Sequence, residues 1–145
     1  MPTQNDRFSE ALVHLLKDWR YALDVRFRPF GLSQARWQVL LKLLRADASL
    51  AQCDLAQRVG IEPASLVRLL DALESEGLVT RSSAPDDRRA KRISLTADGL
   101  SLAGRLAGIA DGLRAEVLDC LTPEELAMAT ELLERLRARV DEIQS

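Results

Sequence analysis

A change of hydrophobic period between residues 61 and 99 limits the folds open to this chain more than any other feature. Leu66, Leu69, Leu70 and Leu73 recur at three- and four-residue steps, the spacing of one helical face. Glu62 is placed to cap that helix, with Pro63 at its first position, where a missing N–H costs nothing. Gly77 stops it. Leu78–Arg81 and Lys91–Leu95 are then short and β-branched or alternating, and residues 82–90, with Pro85-Asp86-Asp87, separate them. This predicts a β-hairpin with a long tip.

Upstream, a long helix is predicted from about Arg7 to Arg28. Phe8, Leu12, Leu15, Leu16, Trp19 and Leu23 form its apolar stripe, and Pro29 and Gly31 end it. Ser33 is the N-cap of a second helix through Trp37, Leu40, Leu41 and Leu44. Asp47 to Ser49 make a break. A short third helix runs through Asp54, Leu55, Ala56 and Val59, with Cys53 just before it. Gly60 supplies the tight turn into the fourth helix.

Downstream, Thr96 opens a fifth helix to about Leu121. Gly99, Gly104, Gly108 and Gly112 weaken it and suggest a tight packing face. Thr122-Pro123-Glu124-Glu125 carries the cap, first-turn proline and reciprocal glutamate of a capping box. The last helix then spaces Leu126, Leu133 and Val140 seven apart, and Ala129, Leu136 and Ile143 seven apart. That a/d seam, with Leu12 on the first helix, predicts pairing with a second chain.

The fold class expected is mainly α: a three-helix head with a β-hairpin wing, flanked by long N- and C-terminal helices. Residues 1–145 read as one domain, with a winged helix-turn-helix lobe at 33–96 and dimerisation helices at 7–30 and 97–143. An aromatic content of only 4% within 47% hydrophobic residues favours helices over a β-rich core.

The formal charge is −2, which argues against binding a polyanion by bulk charge. Yet residues 81–92 hold Arg81, Arg88, Arg89, Lys91 and Arg92 against only Asp86 and Asp87. The acidic stretch from Thr122 offsets this local excess. A helix with an exposed arginine, Arg68, beside an arginine-rich hairpin suits a DNA major groove and the phosphates or minor groove next to it. Double-stranded DNA is therefore the partner expected.

These residues carry a family resemblance. Asp87, Arg89, Leu95 and Thr96 match the Asp-x-Arg and Leu-Thr wing signature of the MarR family of winged-helix transcriptional regulators. The wing string Asp87-Arg88-Arg89-Ala90-Lys91-Arg92-Ile93 is similar to the SlyA-type subgroup. So are Gly60-Ile61-Glu62, Ser65-Leu66-Val67-Arg68, Trp19-Arg20, and Leu32-Ser33-Gln34 followed by Trp37. The resemblance covers nearly the whole chain. It implies a homodimer held by the first, fifth and sixth helices, on a palindromic operator. It also implies a small aromatic or phenolic effector, as many relatives have.

On this reading Pro63, Ala64, Ser65 and Arg68 present the recognition helix to DNA. Ser65 donates to a phosphate or base edge, and Arg68 has the fork for guanine O6 and N7 or for a phosphate. The competing role for Arg68 is a surface pair with Asp71. Arg88 and Arg89 are the minor-groove candidates, and the resemblance favours Arg89 at the tip. Asp87 braces a wing arginine, since a carboxylate beside phosphates would repel. Lys91 and Arg92 serve phosphates.

Trp19, Arg20 and Trp37 are candidates for an effector pocket, although packing is the preferred role for the two tryptophans. Leu126, Leu133, Leu136, Val140 and Ile143 are the dimer residues. Cys53 and Cys120 are too few for a disulfide framework; Cys53 reads as a structural or incidental thiol, the alternative being a thiol activated by a helix N-terminus, and Cys120 as interfacial.

No phosphate loop, metal cluster or nucleophile motif appears, and the single histidine, His14, reads as packed or solvated, so an enzyme is not expected. Neither a metal nor another cofactor is expected. The stronger rival is a winged helix that binds protein, but such modules lose the basic wing. With no apolar run near the roughly 20 residues of a membrane span, and no signal peptide, cytoplasmic residence is the expectation.

Overall fold

The computed structural model describes residues 1–46, 48–83, 86–87 and 90–145. It divides into two compact units, Met1–Ala110 and Asp111–Ser145, each described here by itself.

In the first unit α1 spans Gln4–Phe27. It starts three residues before Arg7 because Thr3 and Asp6 close a capping box. The Thr3 hydroxyl accepts the Asp6 N–H at 3.1 Å, and the Asp6 carboxylate accepts the Thr3 N–H at 2.8 Å. Those hydrogen bonds hold the Asp6 carboxyl below its ordinary pKa, the one from the Thr3 backbone most of all. A 3-10 turn at Arg28–Phe30 follows, and Gly31 closes it in the left-handed conformation at φ 67°.

Helix α2, Gln34–Arg45, is capped by Ser33 as its sequence predicts. Helix α3 spans Gln52–Val59, and Gly60, left-handed at φ 77°, returns its N–H to the Ala56 carbonyl at 2.9 Å. Cys53 is thus the second residue of α3 rather than a residue before it. Helix α4, Pro63–Ser75, has Glu62 at its N-cap position, but the glutamate side chain makes no capping bond.

Three strands form one antiparallel sheet in the order β1-β3-β2. Strands β2, Val79–Ser83, and β3, Lys91–Leu95, are the hairpin. The two-residue β1, Leu50–Ala51, directly follows the break expected at Asp47–Ser49 and is not expected from sequence; it pairs Leu50 with Ile93 and Ala51 with Arg92.

The core collects where the helical head meets the sheet. Leu40 of α2, Leu55 of α3, Leu66, Leu70 and Leu73 of α4, Val79 of β2 and Ile93 of β3 are all fully buried, together with Phe27 and Leu106. Each large side chain so buried contributes about 1.5–3 kcal/mol. Leu69, the fourth leucine of the α4 stripe, is only half-buried at its edge.

Helix α5, Ala97–Leu118, begins against the turn between α4 and β2. The Thr96 N–H donates to the Leu78 carbonyl at 3.1 Å, and its hydroxyl donates to the Gly77 carbonyl at 2.6 Å. The same hydroxyl accepts the Gly99 N–H at 3.0 Å, which caps α5. This approach is close enough that a Cβ on Gly99 would lie 1.9 Å from the Leu78 carbonyl oxygen. Gly99 therefore serves close packing. A Cβ added to Gly104, Gly108 or Gly112 would meet no described atom within 4 Å beyond the backbone of its own helix turn.

In the second unit α6 spans Pro123–Gln144 behind the predicted capping box. The Thr122 hydroxyl accepts the Glu125 N–H at 3.1 Å, and the Glu125 carboxylate accepts the Thr122 N–H at 3.0 Å. No residue of α6 is buried. Its seam side chains stay open to solvent, from Leu126 at 37% to Ile143 at 70%.

Gly99→Ala is expected to destabilise the fold by about 1–3 kcal/mol, the cost of overpacking against backbone. Urea unfolding checks this; an unchanged midpoint would show that the Leu78 carbonyl moves aside freely.

Candidate nucleic-acid interface

The buried leucines of α4 dictate what its other side exposes. With Leu66, Leu70 and Leu73 in the core, Pro63, Ala64, Ser65, Val67, Arg68 and Asp71 face solvent. Pro63 lacks an N–H, and the Glu62 side chain makes no capping hydrogen bond to the first turn. The structure brings the four recognition-helix residues chosen from sequence together at one exposed helix end. Among the described residues Arg68 has neither an ion pair nor a side-chain hydrogen bond.

The alternative partner of Arg68, Asp71, is engaged elsewhere. Arg81 of β2 reaches across to α4, and its Nη2 donates to Asp71 Oδ1 at 2.5 Å and to Glu74 Oε1 at 3.2 Å. The Arg81 Nε and backbone N–H both donate to Glu74 Oε2, at 3.4 and 3.2 Å. Hydrogen bonding to Arg81 holds the Glu74 carboxyl below its ordinary value of 4.5, and the same contacts, Glu74 first, raise Arg81. The four bonds clamp the base of the wing to the recognition helix. Arg81 therefore adds little free positive charge to the wing, although the sequence counts it there.

Arg92 is also used inside the fold. Its Nε donates to Ser49 Oγ and its Nη2 to the Ser49 carbonyl, both at 2.7 Å, which tethers β3 to the segment before β1. Lys91 stands exposed on the neighbouring position and pairs with no carboxylate among the described residues. The Asp87 carbonyl accepts the Ala90 N–H at 3.1 Å. Arg88 and Arg89 lie outside the described residues.

The three residues chosen as an effector pocket do not share a site. Trp37 is buried and packs edge-to-face on Phe27, with ring centroids 5.1 Å apart, so it is core. Its indole Nε1–H has no acceptor among the described residues. Trp19 is half-buried. Only Arg20 lines an open groove, of about 480 Å³, with Val13, Leu16, Lys17, Tyr21, Asp24 and Gln34. The signal missed in the sequence was Tyr21 and Lys17 on the same side of α1 as Arg20.

Both cysteines are exposed: the Cys53 thiol lies 3.9 Å from Asp54 Oδ1, and Cys120 donates to the Val117 carbonyl at 3.3 Å. His14 is exposed, the solvated alternative. No cluster of metal-ligating side chains occurs among the described residues, and none of their helices is long and apolar enough to cross a membrane.

A helical head whose exposed helix is clamped to a β-hairpin wing is a winged helix-turn-helix. The MarR family model matches residues 32–91, the span from Leu32 to Lys91. The chain is similar to the transcriptional regulator PA3341: the two are 43% identical, with a TM-score of 0.88 over 93% of this chain and 98% of that one. It is also similar to a mutant of MarR from E. coli in complex with operator DNA. That pair shares 26% identity and a TM-score of 0.74 over 88% and 91% of the chains. NadR in complex with 4-hydroxyphenylacetate is 25% identical, with a TM-score of 0.80 over 94% and 97%. The chain belongs to the MarR family of transcriptional regulators.

The clamp has a pH signature. Because the folded state lowers the Glu74 pKa, its stabilisation is present above 4.5 and is lost as pH falls through the lowered value. Wild type is expected to be more stable than Glu74→Gln at neutral pH, and the gap should close in acid. A gap that persists in acid would mean the carboxylate charge is not its source.

Proposed function

We propose that the chain is a sequence-specific double-stranded DNA-binding regulator that acts as a homodimer on a palindromic operator. The observation that carries this reading is the open face of α4: Ser65 and an Arg68 unpaired among the described residues, beside a wing clamped at its base. The roles follow from position and chemistry. Ala64 and the ring of Pro63 offer close approach, Ser65 offers a hydroxyl, and Arg68 offers a bidentate fork to a base edge or phosphate. Lys91 neutralises a phosphate, and Arg92 chiefly holds the wing base, with its remaining donors open to a phosphate. Arg88 and Arg89 are assigned to the minor groove and Asp87 to bracing them, on the wing motif alone. That motif also favours a SlyA-type regulator.

Exposed apolar side chains support the dimer. Phe8, Leu12, Leu15 and Leu16 on α1 lie 40–54% open, and the α6 seam residues Leu126, Leu133, Leu136, Val140 and Ile143 lie 37–70% open. Stretches of this size on two long helices suit burial against a second copy. An aromatic acid is the effector class proposed. The α1 groove offers Arg20 and Lys17 to a carboxylate and Tyr21 to a ring, and the NadR complex is of that ligand chemistry. Action on operator DNA places the protein in a bacterial cytoplasm.

Selection from a random duplex pool tests the reading. A palindrome with half-sites about one helical turn apart is the expected product, and a pool without enrichment would overturn it. On that operator Arg89→Ala should cost about 1–3 kcal/mol. Lys91→Gln should instead lower the salt slope by about one per subunit and leave sequence preference intact. Sedimentation at micromolar concentration should show a species twice the 16.1 kDa chain mass. A species of the single chain mass would remove the dimer.

A further inference from the structure

We infer that Val67 is a specificity-determining residue that reads the 5-methyl group of a thymine in the major groove. This inference rests on the reading of α4 as a DNA recognition helix and adds a base contact which that reading does not contain.

Val67 is the anomaly of the head. Residues 33–96 bury their large apolar side chains or hold them at intermediate exposure, and among the described ones only Val67 stands open, at 37%. It lies on the outer side of α4, three residues from Ala64 and beside Arg68, within the first two turns. Nothing in the core needs it there, because Leu66 and Leu70 on either side fill the buried stripe.

The surroundings select the occupant. Val67 walls a cleft of about 450 Å³ together with Gln52, Glu74, Arg81 and Lys91. Glu74 and Arg81 are paired with each other in the wall of that cleft, so neither offers a free charge to an occupant. Lys91 and Arg68, unpaired among the described residues, flank the valine with positive charge. A small apolar spot between two free cations matches a methyl group set between phosphate strands. In the major groove only thymine presents such a methyl. A protein partner fits worse. One valine is far below the apolar area of a protein-docking patch, and valine is under-represented among the residues that anchor such interfaces.

Deoxyuridine isolates the contact, because it differs from thymidine only by the missing methyl. Each thymine of the selected operator is replaced in turn, symmetrically in both half-sites, and affinity is measured for wild type and for Val67→Ala. The valine is exposed, so the variant should melt with wild type, and thermal unfolding monitors this. Wild type should lose about four-fold per half-site at one thymine, the factor that burial of one methyl-sized group is worth. Val67→Ala should bind the methylated and demethylated operators equally at that position.

A flat deoxyuridine profile for wild type, a selected half-site without thymine, or an unchanged profile in Val67→Ala each overturns the inference. Those results leave the regulator reading standing. Failure of that reading shows itself earlier, as a random pool from which no sequence is selected.

Discussion

Burial of Leu66, Leu70 and Leu73 on one side of α4 fixes which side of that helix meets solvent. The three leucines pack against α2, α3 and the sheet, and they leave Ala64, Ser65, Val67 and Arg68 on the outside. A one-residue shift of the stripe would turn those side chains by about a quarter of the helix circumference and bury some of them. The hydrophobic pattern thus aims the recognition face, and the polar residues need only be present at the remaining positions.

The wing is held to that helix by charge. Arg81 joins β2 to Asp71 and Glu74, and Arg92 joins β3 to Ser49. Ile93 and Val79 anchor the two strands in the core. Two arginines that look like contributors to a basic surface are therefore part of the scaffold. Within α4 and the two wing strands, the cations left free among the described residues are Arg68 and Lys91. With a net charge of −2, the proposed binding depends on where such cations stand rather than on bulk charge.

Much of the architecture was legible because its signals are local. Helical periodicity located the helices of the head, and Thr122 to Glu125 and Ser33 marked helix starts by capping chemistry. Thr3-x-x-Asp6 carried the same kind of signal and moves the first helix three residues earlier. What stayed illegible depends on distant partners. Strand β1 has two residues, and only its pairing with β3, about forty positions away, makes it a strand. The ion pairs of Arg81 and the tether of Arg92 could not be inferred by counting charges. The structure sets Trp19, Arg20 and Trp37 apart for a related reason. Their spacing permits a shared site, but packing on Phe27 takes Trp37 into the core and leaves Arg20 in a groove with Tyr21.

The proposed DNA-reading surface is the solvent-facing side of α4, and Arg68 is its exposed cation. Equilibrium binding of Arg68→Ala to the selected operator, at fixed salt and beside a thermal melt, tests this directly. An affinity loss of about ten-fold or more with an unchanged melting temperature is expected, since Arg68 has no ion pair or side-chain hydrogen bond among the described residues. Wild-type affinity in a folded Arg68→Ala protein would contradict it.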